Sequence, residues 1–134
     1  MKIIVCLDDK NGMLFMKRRQ SQDSALRQRM LELTAGSTLW MNEYSAKQFT
    51  EGDFRTEEAF LEKAGAGDYC FVENRDVRSF LDQIEGVVLY RWNRHYPSDT
   101  KFPMEAFQNR WSLVSSPEFP GSSHETITEE VYAL

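Results

Sequence analysis

The sequence predicts an α/β sandwich of three layers, with a mostly parallel central sheet and antiparallel strands at its C-terminal edge. Three observations predict it. The chain opens on Lys2–Leu7, an apolar and β-branched run of the kind that forms a strand covered on both faces. From there to Trp92, short apolar runs alternate with segments of helical spacing, as parallel strands joined by crossovers do. Beyond Pro97 the alternation gives way to strand and loop, which adds an antiparallel edge.

The elements follow in order. Asp8-Asp9-Lys10-Asn11-Gly12 supplies turn chemistry, because Asn-Gly takes positive φ at little cost. Met13–Met16 is a short apolar segment, and the polar run Lys17-Arg18-Arg19-Gln20-Ser21 follows it as a loop. From Gln22 to Thr34, Leu26, Met30 and Leu33 fall at i, i+4 and i+7 and form one face of a helix. Ser21 or Asp23 caps its start, and Gly36 stands where a helix stop belongs. Ser37–Met41 is a strand and Asn42–Phe49 a short helix, broken by Gly52-Asp53. Thr56-Glu57-Glu58 opens a helix carrying Phe60 and Leu61 and ended by Gly65 and Gly67. Tyr69–Val72 is a strand, Asp76–Ile84 a helix and Val87–Trp92 a strand. Arg110–Val114 and Thr126–Tyr132 are two long antiparallel edge strands joined by a Pro-Gly-Ser loop.

Composition bounds the function. With 134 residues, 41% of them hydrophobic, the chain suits one domain (1–134) with a full core. Sixteen basic against 21 acidic side chains give a net charge of −5, which disfavours broad contact with nucleic acid or anionic lipid. No apolar stretch approaches the ~20 residues of a membrane span. Cys6 and Cys70 lie inside apolar runs and read as buried thiols in a reducing, cytoplasmic setting. His95 and His124 have no Cys or His at metal-ligand spacing, so no hydrolytic zinc site is expected. No phosphate loop or serine elbow occurs.

Several segments resemble the dihydrofolate reductase family. Gly36-Ser37-Thr38-Leu39-Trp40-Met41 is similar to its Gly-x-Thr-x-x-Met strand, and Asn11-Gly12 to the Gly-containing loop after its first strand. Val87–Tyr90, then Asp99-Thr100-Lys101-Phe102-Pro103 and Trp111, resemble its C-terminal signature. The resemblance implies that family's fold, an NADPH cofactor and a pterin-like substrate.

The departures weigh against the cofactor. Where the family places Gly-Arg and then a Thr against cofactor phosphates, this chain has Asn42, Glu43 and Ser45. Where it places Gly-Gly beside the pyrophosphate, this chain has Glu73 and Asn74, adding negative charge and bulk. The stretch between Phe49 and Thr56 omits a strand and loop that help hold the adenosine phosphate. The resemblance therefore predicts a lost NADPH site. On the substrate side, Asp23 falls near the family's pterin-holding carboxylate, which makes it the candidate catalytic residue. A helix-capping role explains it equally well. Tyr90 replaces the carboxylate's Thr partner, and Leu14–Lys17 lacks the family's Pro and Trp.

Two basic clusters complete the candidates. Lys17, Arg18 and Arg19 are either a solvated loop or an anion site at a helix start. Arg91 and Arg94, interleaved with Trp92 and Tyr96, suit either a strand end or single-stranded nucleic acid. Asp8 and Asp9, at the carboxyl end of the first strand, either make a turn or bind a metal or amine. The reading that follows is a non-reductase relative that binds a small ligand or a protein. A reductase with altered cofactor binding is the alternative, and an RNA-binding role is disfavoured. A homodimer is expected from Trp40, Phe49, Phe54 and Tyr69, which border the shortened middle.

Overall fold

The computed structural model describes residues 1–107 and 110–134. One sheet of eight strands carries the fold. Its parallel part is formed by β1 (Lys2–Leu7), β4 (Leu39–Met41), β5 (Arg55–Thr56), β6 (Tyr69–Phe71) and β7 (Gly86–Arg91). Its antiparallel part is β9 (Ser112–Ser115), β10 (Glu118–Phe119) and β11 (Ile127–Ala133). The order runs β10-β11-β7-β1-β6-β4-β5, with β9 also on β11. Thus β11 is interior, between β7 on one side and β9 and β10 on the other, rather than an edge strand as predicted. The strand predicted over Arg110–Val114 begins only at Ser112 and runs to Ser115.

Strand alternation divides the core between two layers. Ile3, Val5 and Leu7 of β1 join Val87, Leu89, Phe60 and Leu61 on one side. Ile4 joins Val88, Tyr90, Leu26 and Met30 on the other. Helix α1 (Ser24–Thr34) covers the second side with Leu26, Met30 and Thr34, Leu33 being only half-buried. The predicted Gly36 stop holds: that residue has φ +85° just past the helix end. Helices α2 (Glu43–Ala46) and α3 (Phe60–Lys63) are single turns.

Three local predictions differ from the structure. Thr56 belongs to β5, and Glu57 turns back to bond the Ala59 N–H at 3.2 Å, so α3 starts only at Phe60. Asp76–Ile84 yields a 3-10 turn over Arg78–Gln83. Its apolar pairs Val77/Phe80 and Leu81/Ile84 repeat every three residues, which is 3-10 spacing. The polar run after Met16 is no loop. It forms a hairpin, β2 (Gly12–Phe15) and β3 (Arg18–Arg19), with Met16 and Lys17 both at positive φ (51° and 64°). A third strand, β8 (Thr100–Lys101), pairs with β2. It comes from the Asp99-Thr100-Lys101-Phe102-Pro103 motif, whose Asp99 carboxylate accepts from the Met16 N–H at 3.0 Å and steadies that turn.

The apolar residues beside the shortened middle are half-buried by their own chain. Phe49 packs on Phe54 and Phe71 with ring centroids 5.3 and 6.1 Å apart. The Arg55 guanidinium lies over Trp40 and the Lys2 ammonium over Tyr69. The large apolar side chains that stand exposed among the described residues lie elsewhere, at Phe15, Met16, Leu113, Val114 and Leu134.

Candidate functional site

In an open α/β sheet the ligand crevice lies beyond the carboxyl ends of the strands. Here Asp8, Glu73 and Trp92 lie just past the carboxyl ends of β1, β6 and β7, and the β2–β3 hairpin folds over those ends. The crevice is filled. Cys6, Met13, Arg19, Gln20, Ser21, Val72, Glu73 and Trp92 enclose a cavity of about 10 Å³, which admits roughly one water.

Arg19 fills it. Its Nε and Nη2 meet the two Glu73 oxygens at 2.9 and 3.1 Å, a bidentate pair in which Glu73 is only 8% exposed. The same guanidinium lies 4.3 Å from the Tyr44 ring centroid, and Nη2 donates to the Tyr44 carbonyl at 3.0 Å. The Arg19 N–H donates to the Tyr44 hydroxyl at 2.8 Å. Burial opposes the charge on Arg19, but Glu73 and Tyr44 more than offset that and hold its pKa above the ordinary value.

Of the remaining positions that the resemblance aligns with phosphate contacts, Asn42 and Asn74 are bound to each other, while the buried Ser45 hydroxyl has no partner among the described residues. Asn42 caps α2 by accepting from the Ser45 N–H at 3.1 Å, and its amide donates to Asn74 Oδ1 at 2.7 Å. Glu43 is exposed, and its N–H is taken by Glu58 at 2.9 Å.

Asp23 lies in a second network, which meets the first at Ser21 and Trp92. Its Oδ1 accepts from the N–H groups of Ala25 (2.9 Å) and Leu26 (3.1 Å) at the start of α1. The same oxygen accepts from the N–H and hydroxyl of Ser122, both at 3.0 Å. Its Oδ2 accepts from the N–H of Ser123 at 2.9 Å and lies 3.0 Å from Nδ1 of buried His124. A carboxylate offers about four acceptor positions, so none is left over. Burial works to raise the Asp23 pKa, but hydrogen bonds from Ser122, His124, Ser123 and Leu26 prevail and hold it far below the usual carboxylate range. Because ionised Asp23 only accepts, Nδ1 of His124 carries the proton. Nε2 lies 2.9 Å from the Tyr96 hydroxyl and 3.2 Å from Ser21 Oγ. Trp92 stacks on the imidazole at 4.5 Å.

Of the predicted anion ligands, Arg19 and Arg91 are engaged internally. Arg91 reaches Glu130 at 3.4 Å and also bonds Asn11 Oδ1. Lys17, Arg18 and Arg94 are exposed. Arg18 borders an open groove of about 550 Å³ with Phe15, Met16, Tyr96 and Pro97, and the half-buried Arg19 and Gln20 form its inner wall. Lys17 borders another of about 490 Å³ across the hairpin, with Leu14, Asn74, Asp99 and Thr100. Asp8 makes a turn: buried, it accepts from the N–H groups of Lys10, Gly12 and Tyr96, while Asp9 is exposed. The described residues contain no group of three or more His, Cys, Asp or Glu placed to hold a metal. Burial, with Glu73 adding to it, pushes the Cys6 thiol well up, so it is no thiolate at neutral pH.

Sequence reading missed the Arg19–Glu73 pair and the partnership of Asp23 with His124. The only available signal for the second was the compact Pro120-Gly121-Ser122-Ser123-His124 run, which reads as a loop.

No protein-family model matches the chain, and no curated relative does. Among solved structures, a dihydrofolate reductase from Enterococcus faecalis complexed with NADP(H) and RAB-propyl superposes with a TM-score of 0.67. The match covers 98% of this chain and 94% of that one at 10% identity. The chain therefore has the dihydrofolate reductase-like fold, which the sequence resemblance predicted.

Proposed function

We propose that this protein is a binding domain built on the dihydrofolate reductase-like fold, not an NADPH-dependent reductase, and that the β2–β3 hairpin is its recognition element. The hairpin carries the reading. Its inner end, Arg19, fills the crevice, and its outer end presents Phe15 and Met16 to solvent at 42% and 70% exposure.

The residues present do not fit the cofactor. A pyrophosphate placed as in the family meets the Glu73 carboxylate and the Arg19 side chain instead of two glycines. A pterin-like ring held through Asp23 asks that carboxylate to give up N–H groups that cap α1. Thermal stability under NADPH titration tests this half of the reading, since a ligand of the native state raises the melting temperature. No rise in the millimolar range is expected, and a concentration-dependent rise refutes it.

The outer end breaks a local rule. Two-residue hairpin turns with positive φ at both positions favour Asn-Gly, and each non-glycine residue held there costs about 1 kcal/mol. Rule-breaking of this kind is characteristic of binding surfaces, where side chains are kept for what they touch. Both residues are exposed, so packing does not explain them. The double substitution Met16→Asn, Lys17→Gly is expected to keep or raise stability by about 1 kcal/mol while losing the partner. Affinity capture with both proteins reads this directly: a partner held only by the original turn is expected, and identical captures refute the assignment.

A further inference from the structure

We propose that strand β9 is a self-association edge, and that two copies of this chain pair there antiparallel about a two-fold axis to join their sheets. The inference does not depend on the hairpin reading.

The two edges of the sheet are protected unequally. At one edge β5 has only two residues, Arg55 and Thr56, and lies among Asp53, Glu57 and Glu58, a charged and short border that resists pairing. At the other edge the run from Ser112 to Pro117 carries no charge, and every residue in it is exposed. Of the five large apolar side chains exposed among the described residues, Leu113 (55%) and Val114 (64%) are on β9. A third, Leu134, lies one residue past Ala133, the register partner of Ser112.

The edge is held ready for a partner. Trp111, just before β9, stacks on Tyr132 of β11 at 4.4 Å and on Phe107 at 5.0 Å. This anchors the strand at its base without covering its outer side.

The strand itself fits a second copy of the chain. Its sequence, Ser112-Leu113-Val114-Ser115, is self-complementary. With the axis between Leu113 and Val114, each Ser112 faces Ser115 of the other copy and each Leu113 faces Val114. The same arrangement brings the exposed Arg110 end of one copy to the exposed Glu118 end of the other, so charge favours the pair at both ends. A two-fold contact uses the same strand in both copies and closes. The bulge between Val131 and Tyr132 and the proline at 117 confine the pairing to β9. The contact is small, so the dimer is a weak one.

Sedimentation velocity from micromolar to millimolar protein tests the proposal on three chains: the original, Val114→Lys and Phe15→Lys. Both changes are at exposed positions, and a melting curve for each confirms folding. Should Val114→Lys fail to fold, Leu113→Lys replaces it. Concentration-dependent dimers are expected for the original and for Phe15→Lys. Val114→Lys is expected to weaken association at least about tenfold, because the substitution acts twice across a symmetric interface. A monomer throughout the range overturns the proposal, including the case in which β9 pairs with a strand of some other protein. A dimer that survives Val114→Lys overturns it too, by moving the interface elsewhere.

Discussion

Asp23 and Glu73 are both buried carboxylates at positions that the sequence resemblance sets beside ligand contacts, and they reached that burial by opposite routes. Asp23 has the residue type that the resemblance assigns to holding a pterin-like ring, yet every acceptor position is spent on the chain itself, tying α1 to the Ser122–His124 loop 100 residues away. Glu73 abandons the glycine and carries its charge into the crevice, where Arg19 neutralises it. The comparison teaches that a retained residue is no proof of a retained role. What decides is whether the side chain has unsatisfied capacity pointing at a cavity. Neither does.

The largest expected effect comes from breaking the Asp23 network. Asp23→Ala leaves several buried donors without an acceptor, and a loss of at least about 3 kcal/mol is expected in chemical denaturation. Gly121→Ala attacks the same place sterically: a Cβ there would lie 2.6 Å from Asp23 Oδ2 and 2.7 Å from the His124 carbonyl. It is expected to cost a comparable amount. If Asp23→Ala proves nearly neutral, the carboxylate is not structural and its place in a ligand site reopens.

Next in size is the Glu73 pair. Glu73→Gln leaves the Arg19 guanidinium half-buried without its counter-charge, for an expected loss of about 2–4 kcal/mol. The two networks share no hydrogen bond but meet at Ser21 and Trp92, which border the Arg19–Glu73 cavity and touch His124, so the two effects are expected to add only in part. A double variant measured against the two singles sharpens the comparison, and strong coupling would merge the networks into one.

Acid titration separates the carboxylates by a different means. Asp23 is held low by donors that outweigh its burial, and Asp8 likewise by the N–H groups of Gly12, Lys10 and Tyr96 and the Gln20 amide. Both folded values lie below the unfolded ones, so both groups stabilise while ionised. Their contribution is complete above about pH 4 and is lost as pH falls through the lowered values. Stability measured from pH 6 downward is therefore expected to fall from about pH 4, less steeply in Asp23→Asn. A slope unchanged in that variant would assign the acid sensitivity elsewhere.

What the sequence disclosed divides along the range of the interaction. The strands β1, β4, β6 and β7, Asn11-Gly12, the Gly36 stop and the alternative that Asp23 caps α1 are local signals, fixed by residues within a turn or two. The hairpin was illegible because Met16-Lys17 is not the turn sequence that its geometry favours. Arg19 meets Glu73 across 54 positions and Asp23 meets His124 across 101, separations over which no pattern in one sequence announces a pair. Loss of the glycines could be read from Glu73 and Asn74. That the crevice would be filled from within could not.

The smallest expected effects lie within a single run of three cations. Lys17→Ala and Arg18→Ala are each expected to shift stability by no more than about 0.5 kcal/mol, as exposed charges do. Arg19→Ala, the next residue, is expected to cost about 2–4 kcal/mol by stranding Glu73. The alternation of a hairpin strand is the reason: Arg18 and Arg19 leave the backbone on opposite faces, one toward solvent and one into the crevice. Equal effects for the three substitutions would mean that Arg19 is not seated against Glu73, and the filled crevice on which the binding-domain reading rests would fall with it.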